Sequence, residues 1–170
     1  MEKNKDIKQV IVVRKDLKMR RGKEAAQVAH ASLKVILDRM VINPLPVEHP
    51  YHSDSLYFTK QMKEWIKGTF TKVVLCCDSE EELFNLSDEA DSLEIPNALI
   101  LDLGLTEFKE ECPNCEGSGN IELDTWSTPK MQCEQCGGTG KINKPTYTCI
   151  AIGPDYSDKI DKITCHLKLR

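Results

Sequence analysis

The sequence predicts an α/β domain, and three observations carry that prediction. Four short, nearly continuous runs of Val, Ile, Leu and Cys, at residues 9–14, 72–77, 98–103 and 147–152, suit strands covered on both faces. Segments of helical spacing alternate with them, which favours a layered α/β arrangement over a bundle or a sandwich. At 170 residues the chain can bury one good core but not two full domains with linkers.

Taken in order, the first strand is followed by a helix over residues 23–40, with Ala25, Ala29, Leu33, Ile36 and Met40 on one face at spacings of three and four. Residues 41–56 contain Pro44, Pro46 and Pro50 with little periodicity and predict a surface loop. A second helix, residues 58–67, carries Phe58, Met62, Trp65 and Ile66 and stops at Gly68. After the second strand, Ser79-Glu80-Glu81-Glu82 is a capping box with acids at the positive end of the helix dipole. It opens a helix with Leu83, Leu86, Ala90 and Leu93 inward, ending before Pro96. Gly153-Pro154-Asp155 reads as a last turn before a final helix from about Tyr156, with Ile160, Ile163 and Leu167 inward.

Residues 109–144 break the rhythm. They hold Cys112-x-x-Cys115 and, 17 residues on, Cys133-x-x-Cys136, the spacing of a four-cysteine zinc site. Each half repeats C-x-x-C-x-G-x-G: two intervening residues let one tight turn present both thiolates to one ion. The glycines permit the positive φ values that leave backbone N–H groups pointing at sulfur. The repeats resemble the cysteine-rich repeats of DnaJ-type chaperones. One structural Zn2+ is expected, a small hairpin module inserted at 109–144, with no catalytic cofactor because four thiolates leave no open coordination position. The competing reading is two redox-active dithiols. Cys76, Cys77, Cys149 and Cys165 read as buried small apolar residues.

Composition is ordinary for a soluble globular protein, 40% hydrophobic and 29% charged. No apolar run approaches the ~20 residues that span a bilayer, and the N-terminus lacks the apolar segment of a secretory signal. A cytoplasmic protein with no membrane partner is expected, which also favours metal ligation over disulfides. Net charge is −4, yet residues 1–40 carry eleven Lys/Arg against five Asp/Glu, a balance of +6, so the other 130 carry −10. Such a basic end can steer a polyanion, although it is equally a solvated surface.

Two clusters carry candidate chemistry. Lys18-Met-Arg-Arg-Gly-Lys23 is a basic turn at a helix N-terminus, where N–H groups and the dipole favour phosphate. Lys23, Gln27, His30 and Lys34 form a polar stripe along that helix within about 60°. Asp102 closes the third strand, with Gly104 and Thr106 after it and Thr146 and Thr148 opening the fourth, a usual place for α/β active-site groups.

The strings Gln9-Val-Ile-Val-Val-Arg-Lys-Asp-Leu-Lys-Met, Gly22-Lys-Glu-Ala-Ala-Gln-Val-Ala-His-Ala, Lys72-Val-Val-Leu, Asp102-Leu-Gly-Leu-Thr, Ala151-Ile-Gly-Pro and Asp161-Lys-Ile-Thr-Cys-His-Leu-Lys-Leu run in order. Together they resemble the archaeal and eukaryotic-type (type 2) peptidyl-tRNA hydrolases over most of residues 8–108 and 145–170, apart from the Pro-containing loop. A hydrolase-like domain is therefore expected over residues 1–108 and 145–170, with the cysteine module outside it. The resemblance implies a three-layer α/β/α fold with a mixed four-stranded sheet. The implied reaction is hydrolysis of the ester between a peptide and the tRNA 3′-terminal ribose. Lys23, Asp102, Thr106 and Thr146 match the family's active-site groups, with Gln27, His30 and Thr148 behind them. The chain departs from the pattern at Arg20, where the family usually has glycine, and that departure adds a cation.

Direct attack by water is the simplest route, with Asp102 positioning or deprotonating it. Lys23 would stabilise the developing negative charge, Thr106 and Thr146 would serve as hydroxyl donors, and Lys18, Arg20, Arg21 and Lys34 would hold tRNA phosphates. A homodimer rests on the resemblance alone. A non-enzymatic tRNA- or ribosome-binding adaptor, with the zinc insert as the partner-binding element, is the competing class. A chaperone-like module is a third.

Overall fold

The computed structural model describes residues 6–41, 55–56, 58–121 and 130–170, with the side chains of residues 40, 41, 55 and 56 excepted. The predicted loop with Pro44, Pro46 and Pro50 lies outside the described residues. The chain divides into two compact units, residues 1–100 with 147–170, and residues 101–146.

The elements, in chain order, are β1 (Ile7–Arg14), α1 (Arg21–Leu37), β2 (Met40–Val41), β3 (Ser55–Leu56), α2 (Lys60–Lys67), β4 (Lys72–Cys77), α3 (Glu80–Ser92) and β5 (Asn97–Asp102). Four short strands follow: β6 (Lys109–Glu111), β7 (Asn120–Ile121), β8 (Met131–Gln132) and β9 (Lys141–Asn143). The chain ends with β10 (Thr146–Tyr156), α4 (Ser157–Thr164) and β11 (Lys168–Leu169). The main sheet is mixed, in the order β11-β4-β1-β10-β5, with β1 parallel to β4 and antiparallel to β10. It has five strands rather than the four expected, because Lys168 and Leu169 pair with Cys76 and Leu75. Two residues are too few for an alternation to register in the sequence.

The central strand β1 explains its own composition. Val10, Ile11, Val12 and Val13 are all fully buried, each contributing on the order of 1.5–3 kcal/mol by leaving water. Val10 and Val12 share a core with Leu83, Leu86 and Ala90 of α3 and Ile160 and Ile163 of α4. Side chains alternate across a strand, so Gln9 lies on the other face, where its amide donates to Ser32 O of α1 (3.2 Å) and accepts from Ser32 Oγ (2.6 Å). The α3 cap forms as expected: Ser79 Oγ accepts from Glu82 N–H (3.1 Å), while the Glu82 carboxylate reaches back to Asp78 N–H (2.9 Å).

Three expectations change. The buried face of α1 is Gln27, Ala31 and Val35, whereas Ala25 and Ala29 are exposed and Leu33 is 57% exposed. Gln27 therefore leaves the polar stripe, for a reason found in its partner below. Gly153-Pro154 is not a turn before the helix but a bulge inside β10. Lys8 pairs with Asp155 and Val10 with Ile152, so Gln9 alone opposes two residues there. A Cβ at Gly153, whose φ is +88°, would lie 2.9 Å from Lys8 O, which is why glycine stands there. Among the four remaining cysteines, Cys76, Cys77 and Cys149 are buried but Cys165 is exposed.

A bidentate fork ties the first turn of α1 to the C-terminal strand: Arg170 Nε and Nη2 donate to the two Glu24 oxygens at 2.8 and 2.5 Å. The fork holds the Glu24 carboxyl below the usual carboxylate range. A depressed carboxyl pKa gives stability that is present at neutral pH and lost as pH falls through the folded-state value. Glu24→Gln is therefore expected to lower the melting temperature at pH 7, with the gap to the parent closing as the pH is lowered below the carboxylate range. Thermal melts across that range check it.

Candidate active site and metal centre

The second unit is built on the two cysteine repeats, and they are related to each other by near-symmetry. Strands β6 and β9 pair antiparallel, as do β7 and β8. Cys112 N–H donates to Gly140 O (2.8 Å) and Cys133 N–H to Gly119 O (2.9 Å). Gly119 N–H points at Cys115 Sγ (3.2 Å) and Gly140 N–H at Cys136 Sγ (3.3 Å), as the positive φ of these turns allows. A Cβ at Gly119 would fall 2.3 Å from Gly138 O, and one at Gly140 2.1 Å from Gly117 O. The last glycine of each repeat is thus required because the backbone of the other repeat occupies the place of its side chain.

The four sulfurs lie within 4.8 Å of one another. Cys112 and Cys133 Sγ are 3.8 Å apart, Cys115 and Cys136 Sγ 3.7 Å. A tetrahedral ion with bonds of ~2.3 Å to sulfur requires S···S edges of about 3.8 Å, whereas a disulfide needs ~2.05 Å. The donor set therefore fits a tetrahedral metal rather than two disulfides. Polar groups support the thiolates: the Cys136 N–H, helped by the Asn114 amide, holds the Cys133 thiol down at about 6. Burial pushes Cys112 up to about 11. The unit's small core consists of Cys112, Cys115 and Cys133, against which Ile121, Cys136 and Ile142 pack. Asn114 is a supporting residue that the spacing of cysteines does not reveal.

The same unit holds Asp102, Thr106 and Thr146. Asp102 is half-buried at the end of β5, and its Oδ1 accepts from Gly104 N–H at 2.8 Å. Gly104 has φ +72°, and a Cβ there would lie 2.6 Å from Phe108 O and 2.8 Å from Lys144 N and O. The turn that fixes this carboxylate therefore admits only glycine. Thr106 is exposed. Thr146 is 7% exposed, and its hydroxyl donates to Lys144 O at 3.0 Å.

Lys23, half-buried, is in the first turn of α1. Lys18 (φ +49°), Arg20 and Arg21 are exposed just before and at the helix start, and Arg20 as N-cap makes no side-chain cap bond. Gln27 and Thr148, 121 residues apart, are brought together: both are buried, and Thr148 Oγ1 donates to Gln27 Oε1 at 2.9 Å. Cys149 Sγ also reaches Gln27 O (3.3 Å), and burial pushes that thiol up to about 12. Burial of Gln27 is thus compensated by a specific partner. His30, one turn from Gln27, is exposed, and Lys34 is exposed and paired with Asp38 at 2.7 and 2.8 Å. These two do not join the Gln27–Thr148 pair.

A sequence model of the family described as Peptidyl-tRNA hydrolase PTH2 matches residues 7–122. Curated proteins named peptidyl-tRNA hydrolase are similar over nearly the whole chain. That of Haloquadratum walsbyi is 34% identical over 163 residues, covering 96% of this chain and 99% of the relative. That of Thermococcus onnurineus is 34% identical over 166 residues, covering 95% and 96%. That of Methanopyrus kandleri is 35% identical over 162 residues, covering 95% and 97%. The family expected from ordered motifs in the sequence is thereby established: this chain belongs to the PTH2 peptidyl-tRNA hydrolases.

Proposed function

We propose that the chain hydrolyses the ester joining a peptide to the 3′-terminal ribose of tRNA, releasing free tRNA and peptide by direct water attack. The observation that carries this reading is the family relationship over at least 95% of the chain at 34–35% identity. Asp102 positions and deprotonates the water. Its carboxylate is anchored by one backbone donor, which suits a base that must keep its aim. Lys23 stabilises charge developing on the tetrahedral oxyanion, and Thr106 donates a hydroxyl hydrogen. Thr146 acts through its oxygen, since its hydrogen goes to Lys144 O. Gln27 and Thr148 support from behind, while His30 stays a supporting residue rather than the base. Lys18, Arg20 and Arg21 bind phosphates of the tRNA 3′ end, with Lys34 a weaker contact because Asp38 shares its charge.

The residues 1–108 and 145–170 form the hydrolase domain in three α/β/α layers, supported by Val10 and Val12 packing with α3 and α4 while Gln9 bonds α1. Residues 109–144 form the module. Cys112, Cys115, Cys133 and Cys136 would hold one zinc ion, which supplies a structural tie and no open position for substrate. A homodimer remains part of the proposal on family grounds. So does a cytoplasmic location, consistent with translation; no described helix is long and apolar enough to cross a membrane.

These roles separate in kinetics. Lys23→Ala is expected to lower kcat on peptidyl-tRNA. Arg20→Ala should instead raise KM and flatten its dependence on salt, because a phosphate contact gives affinity without transition-state selectivity. Steady-state kinetics at two salt concentrations check both. The adaptor reading predicts tRNA binding with no turnover in the parent protein.

A further inference from the structure

Outside these groups, α2 presents an unassigned charged surface. Lys60, Lys63 and Lys67 recur at spacings of three and four, so they share one side of the helix, over about 10 Å of its length. They line an open cleft of about 670 Å3 together with Asp6 and Ile7 at the start of β1, Trp65, and Gly68 and Thr69 beyond the helix. Lys60 lies 3.7 Å from Glu64, so its charge is shared. Lys63 and Lys67 are exposed and form no ion pair among the described residues. The aromatic groups nearby are already engaged. Trp65 is 3% exposed and donates to Thr71 O (2.8 Å), its ring meets Phe70 at 4.0 Å, and Lys72 Nζ lies over both rings.

That combination selects a kind of partner. Single-stranded nucleic acid is usually gripped by aromatic platforms on which bases stack, and among the described residues that line this cleft the one aromatic, Trp65, is buried. Lysines without a stacking platform suit the phosphate backbone of a duplex, read by position and not by sequence. The place of the cleft adds a length. It flanks Asp6 and Ile7, at the beginning of β1, whereas Lys18, Arg20 and Arg21 follow the end of the same strand at Arg14. At ~3.3 Å per residue those ends are about 23 Å apart. A ligand that touches both must be a polyanion of at least that extent. A 3′-terminal nucleotide is too short.

We propose that the α2 lysine face binds the phosphate backbone of a base-paired RNA arm, the acceptor stem of the same tRNA whose 3′ end is held at Lys18, Arg20 and Arg21. The inference rests on the proposed substrate, and its test is a binding measurement that does not depend on turnover. The affinity of deacylated full-length tRNA, and of a short single-stranded oligonucleotide with the tRNA 3′ sequence, is measured against salt for the parent protein and for Lys63→Gln/Lys67→Gln. Loss of two phosphate contacts should weaken full-length tRNA on the order of 10-fold and reduce its salt slope by about 2. Binding of the short oligonucleotide should stay as in the parent.

Unchanged affinity and slope for full-length tRNA would overturn the proposal and leave the lysines as a solvated face or as a contact for another partner. An equal loss for both ligands would also overturn it, by placing the effect at the 3′-end site or in the fold. Turnover of peptidyl-tRNA by the parent protein, measured in parallel, tests the hydrolase reading separately.

Discussion

Asp102→Asn should cut turnover of peptidyl-tRNA by roughly 10²–10⁴-fold while leaving tRNA affinity nearly intact. The amide is isosteric with the carboxylate and its oxygen can still accept from Gly104 N–H, so the tight turn that Gly104 builds with Phe108 and Lys144 keeps its shape. What is lost is the basic oxygen and its negative charge. Both matter only when water gives up a proton. A fall in kcat with KM unchanged is the signature of an interaction made in the transition state. Turnover equal to that of the parent would remove Asp102 from the mechanism and return attention to the other groups.

Removal of the zinc ion proposed at Cys112, Cys115, Cys133 and Cys136 should have the second large effect. The core of the module is made of the ligands themselves, Cys112, Cys115 and Cys133, against which Ile121, Cys136 and Ile142 pack. Without a cation, sulfurs 3.7–3.8 Å apart lose the partner that lets them share one site. Structural zinc supplies on the order of 10–16 kcal/mol in small zinc peptides, far more than six small side chains can replace. Chelation is therefore expected to abolish amide protection at Cys112, Gly119, Cys133 and Gly140, whose N–H groups bond across the repeats or to sulfur.

Protection in Val10–Val13 should persist, because β1 pairs with β4 and β10 on its two sides, and the core that Val10 and Val12 share with α3 and α4 contains no cysteine ligand of the module. Activity should fall with the module, since Thr146 is held through Lys144 and Asp102 through a turn closed on Phe108 and Lys144, all within the same unit. Hydrogen exchange with and without chelator distinguishes this from global unfolding, which would contradict a separable insert.

What could be read in advance was whatever is local in the chain. The Ser79 cap, the apolar run of β1 and the two C-x-x-C-x-G-x-G repeats each announce themselves within a dozen residues, and each stands as expected. Long-range partners were the obstacle elsewhere. Gln27 looked like surface on α1 because nothing near it in sequence could satisfy a buried amide, and its partner Thr148 is 121 residues away. Ala25 and Ala29 then took the inward face by apolarity alone, although small residues tolerate exposure.

Gly153-Pro154 carries turn chemistry, but β10 continues past it because β1 pairs on both sides of the bulge. The candidate catalytic residues were legible through the order of family motifs, not through composition. The direction of the Thr146 hydroxyl was not legible at all, because it depends on where Lys144 turns its carbonyl.

The most direct measurement is to incubate the purified protein with peptidyl-tRNA and separate the products. The account predicts free tRNA with an intact 3′ end and free peptide in equal amounts, with Asp102→Asn binding the substrate but releasing neither at a comparable rate. Stable binding of peptidyl-tRNA with the ester intact in the parent protein would contradict it and leave a tRNA-binding adaptor in its place.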